Sequence, residues 1–114
     1  MAIIYHNPRC GTSRKVLQRL EEQGLQLEIV EYLKNPLGRD ALAKMIKDAG
    51  LSVRQAVRSK EALYTELGLD AASVDDETLL RAMEANPILM NRPFVITDKG
   101  TRLCRPAEVV EEIL

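Results

Sequence analysis

The sequence has no tryptophan, one phenylalanine and one histidine among 114 residues. Without large aromatics, a core must be filled by Leu, Ile, Val, Met and Ala. Cysteine is nearly as scarce, with Cys10 and Cys104 as the only two. Two cysteines in a chain of this length are no disulfide framework, and in the reducing cytoplasm expected for this sequence both are free thiols. No sign of charge dominates: 16 Lys and Arg stand against 17 Asp and Glu, for a formal net charge of −1. A chain that works on nucleic acid usually carries a basic field, so no nucleic-acid partner is expected. No apolar run approaches the roughly 18 residues of a membrane span. The opening Met1-Ala2-Ile3-Ile4 lacks the basic-then-apolar pattern of a signal peptide. Repeats, low-complexity tracts and linkers are also missing, which leaves one domain, residues 1–114.

What is present is concentrated in His6-Asn7-Pro8-Arg9-Cys10-Gly11-Thr12-Ser13-Arg14. The stretch follows a short apolar run, Ile3 to Tyr5, and leads into a helix-patterned segment from Ser13 to Gln23 with apolar residues at Val16, Leu17 and Leu20. Cys10 therefore stands where a strand ends and a helix begins. Backbone N–H groups there lack intrahelical partners, and the helix dipole adds roughly half a positive charge. Both stabilise an anion, so a thiolate is favoured and the thiol pKa falls. Arg9, Arg14 and His6 are close in sequence and are expected to add positive charge.

Gly24 closes the first helix, and Leu25 to Leu33 reads as a second strand, parallel to the first. A turn at 34–38 leads to helices at Arg39–Ala49, after Ser52, at Lys60–Leu67 and at Ser73–Ala85. Arg54 and Arg58, four apart, are expected on one face of the short helix capped by Ser52. The acidic cluster at Asp75, Asp76 and Glu77 suits a helix N-terminus and not a metal site. Ile88-Leu89-Met90 follows as an apolar plug. Phe94 to Thr97 reads as a strand, Asp98-Lys99-Gly100 as a hairpin turn and Thr101 to Cys104 as the returning strand. A final helix opens at Arg105-Pro106 and presents Val109, Val110 and Ile113 inward. The order is β-α-β, an all-helical insertion over 36–90, then β-β-α.

That order, with a cysteine after the first strand and a proline opening the third, resembles a thioredoxin-like α/β fold with a mixed four-stranded sheet. The cysteine loop, Asn91-Arg92-Pro93 and Arg102-Leu103-Cys104-Arg105-Pro106 together resemble the glutaredoxin-coupled arsenate reductase family. The likeness includes Tyr32-Leu33, Ser52-Val53-Arg54 and Glu66-Leu67-Gly68-Leu69. It implies that Cys10 is the catalytic nucleophile and that Arg58, Arg92 and Arg105 bind the oxyanion. It also implies that His6 helps to lower the thiol pKa and that the peptide bond before Pro93 is cis. Arsenate, glutathione and glutaredoxin are the implied partners, with glutathione as co-substrate, no bound cofactor and no metal. A monomer is expected. Better-known members carry a further tail, whereas this sequence ends at Leu114 as in a shorter branch.

The chemistry wants these residue types. Arsenic(V) in arsenate is open to attack by a soft thiolate, but an unshifted thiol is only a few per cent ionised at pH 7. Anion then meets anion, and fork-shaped guanidiniums neutralise the oxygens better than lysines. At an effective dielectric of about 20, one unit-charge pair about 4 Å apart gains about 4 kcal/mol. In the implied mechanism Cys10 attacks arsenic, glutathione adds and reduces it to arsenic(III), and glutaredoxin resolves the Cys10–glutathione disulfide. No second cysteine follows Cys10 within three residues, which fits an outside thiol donor. A phosphatase-type loop needs an arginine six positions after the cysteine, where Val16 stands. Two alternatives share the fold. An Spx-type transcriptional regulator usually has a second cysteine where Ser13 stands, and a general glutathione-dependent thiol oxidoreductase has no use for three arginines. Cys104, in an apolar strand, reads as a packing residue.

Overall fold

A computed structural model describes residues 1–114. Four strands, β1 (Ala2–His6), β2 (Leu27–Glu31), β3 (Phe94–Thr97) and β4 (Gly100–Leu103), form one sheet in the order β2-β1-β3-β4. β1 is parallel to β2 and antiparallel to β3, and β3 is antiparallel to β4. The parallel pair needs a crossover, which α1 (Gly11–Glu22) supplies. This is the expected α/β, thioredoxin-like mixed sheet. The chain folds as two compact units, a sheet unit of Met1–Asn35 with Arg92–Leu114 and a helical unit of Pro36–Asn91. No helix is long and apolar enough to cross a membrane.

In the sheet unit, alternate residues of β1 face the core, with Ala2, Ile4 and His6 buried. Val16 and Leu20, one helical turn apart on α1, are fully buried with Ala2, Ile4, Val95, Cys104 and Val110. Each such aliphatic side chain contributes roughly 1.5–3 kcal/mol by leaving water. Gly24 ends α1 with φ +68°, a conformation that side chains disfavour.

The final segment differs from expectation. Residues Ala107–Ile113 form a 3₁₀ helix, not an α-helix, and the buried face is Ala107, Val110 and Ile113 while Val109 is only partly covered. Small or apolar residues spaced three apart explain this, because side chains at i and i+3 eclipse in a 3₁₀ helix. Arg19 of α1 pairs with Glu108 at 3.4 Å and with Glu111 at 3.0 Å. Thr97 Oγ1 donates to the Ile113 carbonyl at 2.6 Å and so holds the end of β3 to that segment.

The helical unit contains α2 (Arg39–Asp48), α3 (Val53–Ala56), α4 (Ala62–Glu66), α5 (Asp76–Ala85) and a 3₁₀ turn at Pro87–Leu89. Its core comes from the predicted face of α2 (Leu42, Met45, Ile46) and from Leu79, Leu80 and Met83 of α5. Asp75 caps α5 by accepting the Thr78 N–H at 2.9 Å. Ser52 and Gln55 form a reciprocal capping box on α3. That helix then stops at Ala56, so Arg54 and Arg58 do not share a helical face, contrary to the spacing. Val57 is extended, buried and bridged antiparallel to Met90. Arg58 N–H donates to the Leu89 carbonyl at 2.7 Å and Asn91 N–H to the Ala56 carbonyl at 2.8 Å. A β-branched residue at position 57 favours this strand-like pairing over another helical turn.

Candidate active site

β1 delivers the chain to Asn7, whose buried side chain organises the turn that follows. Asn7 Oδ1 accepts the Arg9 N–H at 3.0 Å, and its carbonyl accepts the Cys10 N–H at 3.0 Å. Asn7 Nδ2 donates to the hydroxyl of buried Tyr32, just past β2, at 3.4 Å. The loop is thereby fixed from inside, and Cys10 becomes the N-cap of α1 with extended φ −92° and ψ 120°. Its own side chain makes no capping bond, which leaves the sulfur to accept from others.

Cys10 is half-buried, and burial pushes its thiol pKa up. The N–H of Ser13, the guanidinium of Arg105 and the N–H of Thr12 outweigh that, so the thiol sits below its ordinary value of 9.0. Arg105 Nη1 lies 3.6 Å from Cys10 Sγ and also donates to the Arg92 carbonyl at 3.0 Å. One guanidinium thus touches the sulfur and the residue before Pro93. The Arg92–Pro93 bond is cis, as expected, and Arg105–Pro106 is cis as well, which no pattern in the sequence signals. The Cys104 N–H donates to the Pro93 carbonyl at 2.9 Å and ties the two Arg-Pro junctions together.

Of the predicted residues, the sheet unit brings together Cys10, Arg105, the Arg92 backbone, Pro93 and His6. The Arg92 side chain is itself buried, at 5% exposure. Arg58 belongs to the helical unit, where its Nε lies 3.4 Å from Glu61 Oε1. Arg54, equally plausible from spacing, has a different job: its guanidinium donates to Tyr64 Oη and to the carbonyls of Leu69, Ala71 and Val74. Five donors in a planar fork suit such a loop staple.

His6 departs from the expectation of added charge. Burial lowers its pKa, Glu31 and Glu21 oppose that, and Arg14 reinforces it. The ring is therefore neutral at neutral pH. Its Nδ1 lies 2.7 Å from Ser13 Oγ, which also accepts the Asn7 N–H at 3.1 Å. A serine hydroxyl has one donor and two lone pairs, so with the Asn7 N–H on one lone pair it still pairs with Nδ1 in either tautomer of the ring. His6 thus acts on the sulfur only through Ser13, the residue whose N–H lowers the thiol pKa. Arg14 Nη1 donates to the Pro8 carbonyl at 2.8 Å and braces the loop. Sequence alone gives Ser13, Asn7 and Tyr32 no such roles. Their signal is weak, since a helix-start serine and an asparagine before proline both read as surface residues.

Cys104 is fully buried, and desolvation raises its pKa to about 12. It packs with Val95 and Val110 in the core.

Residues 5–113 match the ArsC family. The chain is 57% identical over 111 residues to the arsenate reductase of Rhizobium meliloti (strain 1021), covering 97% of this chain and 79% of that protein. It is 50% identical, with the same coverage, to the arsenate reductase of Escherichia coli (strain K12). Among solved structures, an arsenate reductase from Vibrio cholerae is 39% identical and superposes with a TM-score of 0.95 over 99% of this chain and 97% of that one. The matched span runs through the cysteine loop and both Arg-Pro junctions, and on that footing the chain belongs to the ArsC family.

Proposed function

We propose that this protein is an arsenate reductase, an oxidoreductase in which Cys10 is the nucleophile. The observation that carries the reading is Arg105 Nη1 at 3.6 Å from Cys10 Sγ, on a thiol whose pKa the Ser13 and Thr12 amides also lower. A thiolate so held sits beside a cation suited to oxygen ligands of the substrate. Similarity to enzymes named arsenate reductase over 97% of the chain supports arsenate as the oxyanion.

In this mechanism the Cys10 thiolate bonds to arsenic, and one arsenate oxygen leaves as water after taking up protons. Arg105 and Arg92 hold the remaining oxygens, and the family resemblance implies Arg58 as a third arginine for them. The sulfur of glutathione then bonds to the Cys10 sulfur as the sulfur–arsenic bond breaks. The electron pair stays on arsenic, which goes from V to III, while two thiol sulfurs become one disulfide. Arsenite leaves, and glutaredoxin reduces the mixed disulfide. His6 is a positioning residue that holds Ser13, and with it the amide on the sulfur. The protein works as a monomer in a reducing cytoplasm, with glutathione as co-substrate and no bound cofactor.

The test is an assay of the purified chain with glutathione, glutaredoxin and glutathione reductase. NADPH consumption is expected only when arsenate is added. Absence of arsenate-dependent turnover in a protein whose Cys10 still alkylates sinks the reading. Arg92→Ala is expected to abolish arsenate turnover while the thiol keeps its reactivity. A general disulfide reductase would show no arsenate-dependent turnover and would keep its disulfide reduction in this variant.

A further inference from the structure

A cleft of about 380 Å³ opens beside the cysteine loop. One wall is the run from His6 to Arg9, which leads directly into Cys10. The other is Glu31, Leu33 and Lys34 at the end of β2. Neither Cys10 nor Arg105 lines it, so it is distinct from the oxyanion position. Its size falls at the small end of metabolite sites. Its chemistry is mixed: Arg9 and Lys34 are exposed cations, Glu31 is an acceptor, and Pro8 and Leu33 offer exposed apolar surface. Lys34 Nζ lies 3.7 Å from Glu31 Oε1, with side chains 76% and 42% exposed. A pair this exposed is weak and can be exchanged for ligand contacts.

We propose that this cleft receives the thiol donor, a small peptide thiol with two carboxylates and one ammonium group, as in glutathione. The proposal rests on the arsenate reductase reading and names the site of its second substrate. Arg9 and Lys34 take the carboxylates, Glu31 takes the ammonium, and Pro8 with Leu33 covers the peptide backbone. A donor seated here lies against the residues that precede Cys10. Its thiol gives its proton to water, its sulfur bonds to the Cys10 sulfur, and the electron pair of the broken sulfur–arsenic bond remains on arsenic. The loop that orients the nucleophile through Asn7 is then also the wall that holds the reductant.

The experiment has two arms. In the first, S-methylglutathione, which cannot transfer its sulfur, is titrated into the wild-type chain and followed by amide chemical shifts. Saturable shifts are expected at Arg9, Leu33 and Lys34. In the second, Arg9→Glu with Lys34→Glu is assayed with varied glutathione. The KM for glutathione is expected to rise roughly tenfold, the effect of losing two exposed ionic contacts, with the loss falling on KM and not on kcat. Shifts clustered elsewhere, or an unchanged KM, overturn the cleft while arsenate turnover of the wild type keeps the function. Saturable shifts in the cleft without arsenate turnover sink the function and leave the peptide-thiol site standing. Should the double variant not fold, the wild-type titration decides alone.

Discussion

The two cysteines sit in the same unit, and their surroundings drive them in opposite directions. Cys10 meets two backbone amides and a guanidinium at the start of a helix, and its pKa falls. Cys104 meets Val95, Val110 and Ile113 in the core, and its pKa rises to about 12. Burial raises both, so burial alone does not separate them. What differs is whether donors converge on the sulfur. Cys104 Sγ faces a carbonyl, that of Arg102 at 3.7 Å, and so has an acceptor where Cys10 has donors. Reactivity here is a property of the backbone amides and one arginine, and the thiol merely reports it.

Alkylation breaks or sharpens that contrast with the largest effect. At pH 7 a thiol with pKa about 12 is less ionised than one at the ordinary 9.0 by a factor of roughly a thousand. Cys10 lies below 9.0, so iodoacetamide is expected to label it at least about a thousandfold faster than Cys104, as read by peptide mass spectrometry. Comparable rates end the comparison. Arg105→Ala narrows the gap: it removes the only side-chain donor on the sulfur among those that lower its pKa, and the labelling midpoint moves up toward the ordinary thiol range.

How far the sequence alone reaches depends on the range of the interaction. The cysteine at a strand–helix junction, Gly24 after α1 and the apolar spacing of Leu42, Met45 and Ile46 are local patterns, and the fold follows them. Arg92 and Arg105 each precede a proline at an element boundary, which marks them apart from surface arginines. The remainder is set by partners distant in sequence. Arg54 and Arg58 are indistinguishable by spacing until Met90 captures Val57 and ends α3. The 3₁₀ form of 107–113 is decided by which residues the sheet buries, Ala107 in place of Val109. His6 reads as a candidate cation, and only its burial, with Arg14 nearby, lowers its pKa.

The alkaline range separates the cysteines by stability. In the unfolded chain Cys104 ionises near the ordinary 9.0, but in the native chain only near 12. Between those values the native state holds the extra proton, so stability falls as pH rises, by about 1.4 kcal/mol per pH unit when the group is fully in that window. Cys10 has the reverse sign: its native proton leaves first, and its contribution grows as pH climbs toward 9. Tyr5, raised by burial and by Glu28, adds a slope like that of Cys104 at still higher pH. Comparison of wild type with Cys104→Ala isolates the one group. The variant is expected to lose a roughly constant amount for its small cavity and to show a shallower decline from about pH 9 to about 10.5 in urea unfolding. Parallel curves mean that Cys104 ionises without hindrance.

The smallest effect tests how the two halves of the Cys10 environment are joined. Ser13 is fully buried, and its side chain satisfies His6 Nδ1 and the Asn7 N–H, whereas its backbone N–H lowers the Cys10 pKa. Ser13→Ala keeps the amide and deletes the tether. Two buried partners then lose their hydrogen bond, at a cost of about 1–2 kcal/mol, read as a lower Tm. The Cys10 labelling midpoint is expected to rise by far less than in Arg105→Ala, because the donor stays and only its orientation loosens. His6→Gln is expected to behave alike, since a glutamine can keep a bond to the hydroxyl but changes its geometry. The pH dependence gives an independent check. A native histidine held below 6.5 binds its proton later than the unfolded chain does, so His6 makes stability fall as pH drops through the region just under 6.5. His6→Gln removes that fall. If the fall persists, burial does not hold the His6 ring neutral, and a charged imidazole beside Cys10 returns as the source of its acidity.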